Sequence, residues 1–207
     1  MNKAVFLDRD GTLNEEIGYL HRVEDFRWLP GAVDAVRALK QTGWAIVVIT
    51  NQAGVGRGYY TEREVAELHD HLGAELAQAG TGIDAIYYCP HHPDAGCQCR
   101  KPGTLLYERA ARELDIDLSA SFAVGDRLTD LIPARRLGCH TVLVQTGYGQ
   151  AELARAEMEG FHVDHVAPNL GEASEWIISI SSSAPGVPVD CAGQDQSSNA
   201  RYALVNL

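Results

Sequence analysis

The stretch Val5–Asn14, VFLDRDGTLN, closes an apolar run with two aspartates one residue apart, Asp8 and Asp10, and sets Gly11 and Thr12 directly behind them. A short apolar run of this kind reads as a buried strand. In open α/β sheets ligands bind beyond the carboxyl ends of the strands, so the position of the two carboxylates is as informative as their charge.

Further apolar runs follow at WAIVVITN (44–51), IDAIYYCP (83–90), SFAVGD (121–126) and HTVLVQTG (140–147), with a weaker sixth strand in HVDHVAPNL (162–170). Helical patterns separate them: PGAVDAVRALKQTG (30–43), TEREVAELHDHLGAELAQAG (61–80), TLLYERAARELDI (104–116), LTDLIPARRLG (128–138) and GEASEWIISI (171–180). The second of these opens with Thr61 followed three residues later by Glu64, a capping box. Near-continuous apolar strands alternating with helices predict an α/β fold, a three-layer Rossmann-like parallel sheet covered on both faces. Residues 1–180 read as one domain, and 181–207, rich in Ser, Pro, Gly and Gln, as a flexible tail.

The 17 Lys and Arg against 28 Asp and Glu give a formal charge of −11. With no cationic cluster to neutralise a phosphate backbone, the chain is not expected to bind nucleic acid. The N-terminus reaches charged side chains too soon for a signal peptide, and no run has membrane-spanning length, so a cytoplasmic protein without membrane contact is expected. A monomer is expected too. Five cysteines, three of them within eleven residues, suit metal binding in a reducing compartment better than a disulfide framework.

Asp126 ends the fourth strand, with Asp130 four residues on. Carboxylates from two strand ends converging on one sheet edge repel one another unless a cation lies between them, and a hard divalent ion such as Mg²⁺ prefers an all-oxygen set. The second strand ends in a hydroxyl, Thr50. An Asp-Gly pair alone would be an ordinary turn, but the combination points to a site.

The loop YYCPHHPDAGCQCRKP (87–102) carries Cys89, Cys97 and Cys99 with His91 and His92. Cys89 with His91, and Cys97 with Cys99, are each separated by one residue, so in extended chain both members of a pair face one side. A thiolate-rich site with one imidazole suits a structural Zn²⁺ with no open coordination position. The loop leads into Arg100 and Lys101, which the metal would hold in place. NQAGVGRGYY (51–60) reads as a Gly-rich loop whose backbone approaches a ligand and whose Arg57 is a candidate anion contact. Asn51, Gln52, Arg100 and Arg127 complete the candidate substrate-binding set.

Taken together, FLDRDGTLN, VVITN with Thr50, Lys101 in CRKP, and VGDRLTD resemble, in order, the four motifs of the haloacid-dehalogenase superfamily. Within it, ITNQAGVGRG, IYYCPHHPDAGCQCRKP and LVQTGYG resemble the D-glycero-D-manno-heptose 1,7-bisphosphate phosphatases, with the histidinol-phosphate phosphatases as nearest competitors. The resemblance implies a haloacid-dehalogenase-like fold and a phosphatase with catalytic Mg²⁺ and structural Zn²⁺, acting on a small phosphorylated sugar. It makes Asp8 the nucleophile and Asp10 the acid and base, with Thr50 and Lys101 on the phosphoryl oxygens. Asp8, the Asp10 carbonyl and Asp126 would hold Mg²⁺, and Asp130 would act one shell out; the zinc ligands would be Cys89, His91, Cys97 and Cys99. There is no room for a large cap domain, so short loops must select the substrate. A polynucleotide 3'-phosphatase conflicts with the acidic charge, and a non-catalytic, zinc-stabilised phosphate-binding protein would not need an attacking carboxylate.

Overall fold

In the computed structural model, described over residues 1–182 and 201–203, β1 (Ala4–Leu7) is buried at every position. Its side chains alternate between two cores: Val5 and Leu7 pack on one face of the sheet, Ala4 and Phe6 on the other. The same period of two splits β2 (Ala45–Asn51), where Ile46 and Val48 oppose Val47 and Ile49. This is why the strands read as unbroken apolar runs: neither face meets water.

β3 (Ala85–Cys89), β4 (Phe122–Gly125), β5 (His140–Val144) and β6 (His165–Ala167) complete the strands expected from sequence. All pair in parallel, in the order β6-β5-β4-β1-β2-β3, with a seventh strand, β7 (Arg201–Ala203), beyond β3. The helices are α1 (Ala32–Gln41), α2 (Ala53–Gly56), α3 (Glu62–Gln78), α4 (Leu105–Leu114), α5 (Leu128–Arg136), α6 (Gly149–Glu159) and α7 (Leu170–Ser182). α1, α3 and α7 cover one face and α4 and α5 the other, giving three layers. The capping box of α3 is present: Glu64 N–H donates to Thr61 Oγ1 at 3.3 Å, and Thr61 N–H to Glu64 Oε2 at 2.7 Å.

α7 runs to Ser182 and Arg201–Ala203 pairs with β3; the other residues of 181–207, read from the sequence as a flexible tail, lie outside those described. One expectation changes: the Gly-rich stretch is not an open loop. Gly54 and Gly56 belong to the turn α2, where an added Cβ would stand 2.0 Å from the Tyr60 ring and 2.1 Å from the His92 backbone nitrogen. These glycines admit neighbouring protein rather than ligand. Among the described residues no helix is long and apolar enough to cross a membrane.

Candidate active site

Chain connections run outward in opposite directions from β1 and β4, which lie side by side, and the crevice at their carboxyl ends is the topological switch point. Asp8 follows β1 directly, its N–H still donating to Val124 O at 3.0 Å. Asp126 follows β4, and Thr50 lies in β2. Lys101 arrives from the cysteine loop: its ammonium donates to Asp8 Oδ1 at 2.7 Å, to Asp130 Oδ1 at 2.8 Å and to the Ile49 carbonyl. Burial alone would favour neutral lysine, but the Asp130 and Asp8 carboxylates outweigh it and hold its pKa above the usual value. Burial also pushes the Asp8 carboxyl up to about 7 against the opposing pull of Lys101.

Asp126 sits in a cradle of backbone. An added Cβ on Gly11 would lie 2.3 Å, and one on Gly147 2.1 Å, from its Oδ2, and both glycines have positive φ. Tyr148 N–H donates to Oδ2 at 2.8 Å, whereas buried Oδ1 has no hydrogen-bond partner. Burial, reinforced by Asp8 and Asp130, raises this carboxyl to about 8. Asp8, Asp126 and Asp130 each offer an oxygen within 4.8 Å of the others. Three buried carboxylates with one oxygen orphaned are the donor set a hard divalent cation takes, and its charge would remove the mutual repulsion. Asp130, expected one shell out, thus stands in the same cluster and bonds Lys101 as well.

The Asp10 carboxylate lies outside that cluster. It receives hydrogen bonds from Asn14 Nδ2 at 3.0 Å and Gln52 Nε2 at 3.2 Å, and an ion pair from Arg9 at 2.8 Å. Gln52 and Asn51, expected as substrate contacts, both line the cleft and are also hydrogen-bonded within the protein. Gln52 also donates to Thr50 Oγ1 at 2.9 Å and accepts from Tyr60 Oη at 2.8 Å, which leaves it 1% exposed. Asn51 clamps the peptide of Lys101, accepting from its N–H at 3.0 Å and donating to its carbonyl at 3.2 Å. Sequence reasoning passed over Arg9, Tyr60 and His69. The available signal was His69 itself, a polar residue on the α3 face otherwise made of Val65, Leu68, Leu72 and Leu76.

Cys89, His91, Cys97 and Cys99 converge. Cys89 Sγ lies 3.6 Å from Cys97 Sγ and 3.4 Å from Cys99 Sγ, and His91 Nδ1 is 3.5 Å from Cys89 and 3.1 Å from Cys99. A tetrahedron with Zn–S bonds of about 2.3 Å has edges of about 3.8 Å, so the four donors fit a closed zinc site. None of the four cysteines described is in a disulfide, and His92 is turned toward Asp94 instead.

A cleft of about 570 Å³ opens over the carboxylates, lined by Asp8, Asp10, Thr50, Lys101 and the arginines Arg57, Arg100 and Arg127. Arg127 stacks on Tyr148, 3.6 Å from the ring centre, and lies 3.8 Å from Glu16, whose pKa burial raises. Arg100 carries a buried Nη1 with no hydrogen-bond partner. No separate cap covers this cleft among the described residues.

Comparison with known proteins places this geometry. A HAD-hydrolase-like family model matches residues 98–173. The chain is 43% identical over 185 residues, 84% of its length and 94% of the relative's, to a D-glycero-D-manno-heptose-1,7-bisphosphate 7-phosphatase of Thermosynechococcus vestitus. It is 45% identical over 152 residues, 70% of this chain and 81% of the other, to a D-glycero-beta-D-manno-heptose-1,7-bisphosphate 7-phosphatase of Photorhabdus laumondii. Among solved structures, the D,D-heptose 1,7-bisphosphate phosphatase from B. bronchiseptica, complexed with magnesium and phosphate, superposes with a TM-score of 0.79 at 38% identity, covering 86% of this chain and 99% of that one.

Proposed function

The chain belongs to the heptose-1,7-bisphosphate 7-phosphatase family of haloacid-dehalogenase-like hydrolases, and on that premise we propose that it removes the 7-phosphate of D-glycero-D-manno-heptose 1,7-bisphosphate through an aspartyl-phosphate on Asp8. The observation that carries the reading is the contact of the Lys101 ammonium with Asp8 Oδ1 at the base of a cleft lined by three further cations. A nucleophilic carboxylate paired with a buried cation suits a dianionic substrate that the net charge of −11 would otherwise repel.

Asp8 attacks phosphorus in line, forming an acyl phosphate on its carboxylate as the bond to the sugar oxygen breaks. Asp10 gives its proton to the departing oxygen, then takes one from the water that hydrolyses the acyl phosphate, releasing inorganic phosphate and the free Asp8 carboxylate. Lys101 and the Thr50 hydroxyl contact the phosphoryl oxygens as charge builds on them. Asp8, Asp126 and the Asp10 carbonyl, with Asp130 beside them, would hold Mg²⁺, which supplies charge neutralisation at the phosphoryl group. Cys89, His91, Cys97 and Cys99 would hold a structural Zn²⁺ that fixes Arg100 and Lys101. The unpartnered Nη1 of Arg100 and the exposed Arg57 are suited to the distal 1-phosphate.

The test is phosphate release, with Mg²⁺, from heptose 1,7-bisphosphate in both anomers, histidinol phosphate, fructose 1,6-bisphosphate and a 3'-phosphorylated oligonucleotide. The heptose bisphosphate should have the highest kcat/KM. A preference for histidinol phosphate, or turnover of none of them, rejects the assignment.

A further inference from the structure

Arg9 separates the two aspartates and is wholly buried, the largest such side chain among the described residues. A guanidinium out of water is tolerable only with its donors satisfied. Nε and Nη2 fork onto the Asp10 carboxylate at 2.8 to 3.1 Å, Nη2 also donates to Leu20 O at 3.2 Å, and Nη1 lies 3.2 Å from His69 Nε2. Arginine has donors only, so His69 Nε2 must accept, which leaves the imidazole neutral with its proton on Nδ1. Burial, and then the Arg9 charge, hold His69 well below its usual pKa and keep that acceptor available. Arg9 therefore ties together the end of β1, the loop whose Tyr19 lines the cleft, and α3.

We propose that Arg9, held in place by His69, is a positioning residue that aims the Asp10 carboxyl at the leaving-group oxygen. The inference rests on Asp10 being the acid. Its other donors, Asn14 and Gln52, are single neutral amides, whereas only the two-nitrogen fork of Arg9 fixes the plane of the carboxylate. A purely structural ion pair would have no reason to leave one partner lining the cleft, and Asp10 does so. Arg9 does not touch the substrate: it acts through Asp10, and His69 acts through Arg9.

Leaving-group dependence separates this role from a structural one. An alkyl phosphate must be protonated as its oxygen departs, whereas 4-nitrophenyl phosphate leaves as a stable phenolate, and kcat/KM reports the steps up to that departure. Arg9→Met should lower kcat/KM for the sugar phosphate by about 10²-fold and His69→Leu by about tenfold, with less than about threefold loss on 4-nitrophenyl phosphate. His69→Gln, whose side-chain oxygen can accept from Nη1, should return the sugar phosphate rate to within about threefold of the parent. Circular dichroism monitors folding, and if Arg9→Met does not fold, His69→Leu carries the test with the charge pair intact. Asp10→Asn is the reference. If it shows the leaving-group dependence and the folded Arg9 and His69 variants do not, the positioning role is wrong while the acid role stands. If Asp10→Asn loses both substrates alike, the acid role fails and the inference goes with it.

Discussion

At the scale of single residues, the site is a set of charges that tolerate one another only in company. Asp8 and Asp126 bind protons more tightly in the folded chain than in the unfolded one, with pKa values raised to about 7 and about 8. The sign follows from linkage: a carboxyl raised on folding costs nothing below its ordinary range near 3.8, and its penalty grows as pH rises through 7 to 8. A cation bound to the ionised carboxylates relieves that penalty, so the increase in Tm on adding Mg²⁺ should itself grow from about pH 5 to about pH 8. Thermal scans at matched ionic strength check it; an increment that is flat, or larger in acid, contradicts the assignment of these carboxylates to the metal.

The cradle around Asp126 is a residue-scale device as well. Gly147→Ala would place a Cβ 2.1 Å from Asp126 Oδ2 at a φ of +53°, so the carboxylate must move. The Mg²⁺ concentration giving half-maximal activity should rise by about 10- to 100-fold, the usual cost of disturbing what supports a metal ligand. An unchanged Mg²⁺ requirement would show that Asp126 does not depend on this cradle.

At the scale of elements, the cysteine loop and the turn α2 form one unit. Gly56 of α2 packs so closely on the His91–His92 backbone that any side chain there would collide, and Asn51, two residues before α2, clamps the peptide of Lys101. The loop, β2 and the turn therefore set the positions of Lys101 and Arg57 together. Stripping zinc with a selective chelator in excess Mg²⁺ should lower Tm by at least about 5 °C and cut turnover in parallel. Loss of the metal with both properties unchanged would remove zinc from the account of how the cations are placed.

At the scale of the whole molecule, what the sequence disclosed follows from burial on both faces. A sheet covered on both sides makes each strand an apolar run, and the acidic residues that interrupt those runs, Asp8 and Asp126, mark the crevice before any coordinate is known. The Cys89, His91, Cys97, Cys99 group was legible because its chemistry is rare at such spacing, whereas Lys101 stood out only through the resemblance to the superfamily motifs. Arg9 was not, because arginine is exposed by default and nothing local says otherwise. Gln52 and Asn51 were seen as polar residues near a ligand, but whether an amide faces substrate or braces a neighbouring peptide depends on residues 50 positions apart, Asn51 and Lys101 among them. The glycines of α2 misled for the same reason: sequence shows that a side chain is missing, and only packing shows what fills its place.

The fold, cleft and charge set converge on one reaction at one end of one substrate, and ³¹P NMR of heptose 1,7-bisphosphate with the Mg²⁺-loaded enzyme tests it most directly. The resonance of the 7-phosphate should disappear into inorganic phosphate while the anomeric 1-phosphate persists, and Asp8→Asn should leave both in place. Persistence of the 7-phosphate, prior loss of the 1-phosphate, or turnover by Asp8→Asn at the parent rate would contradict the account.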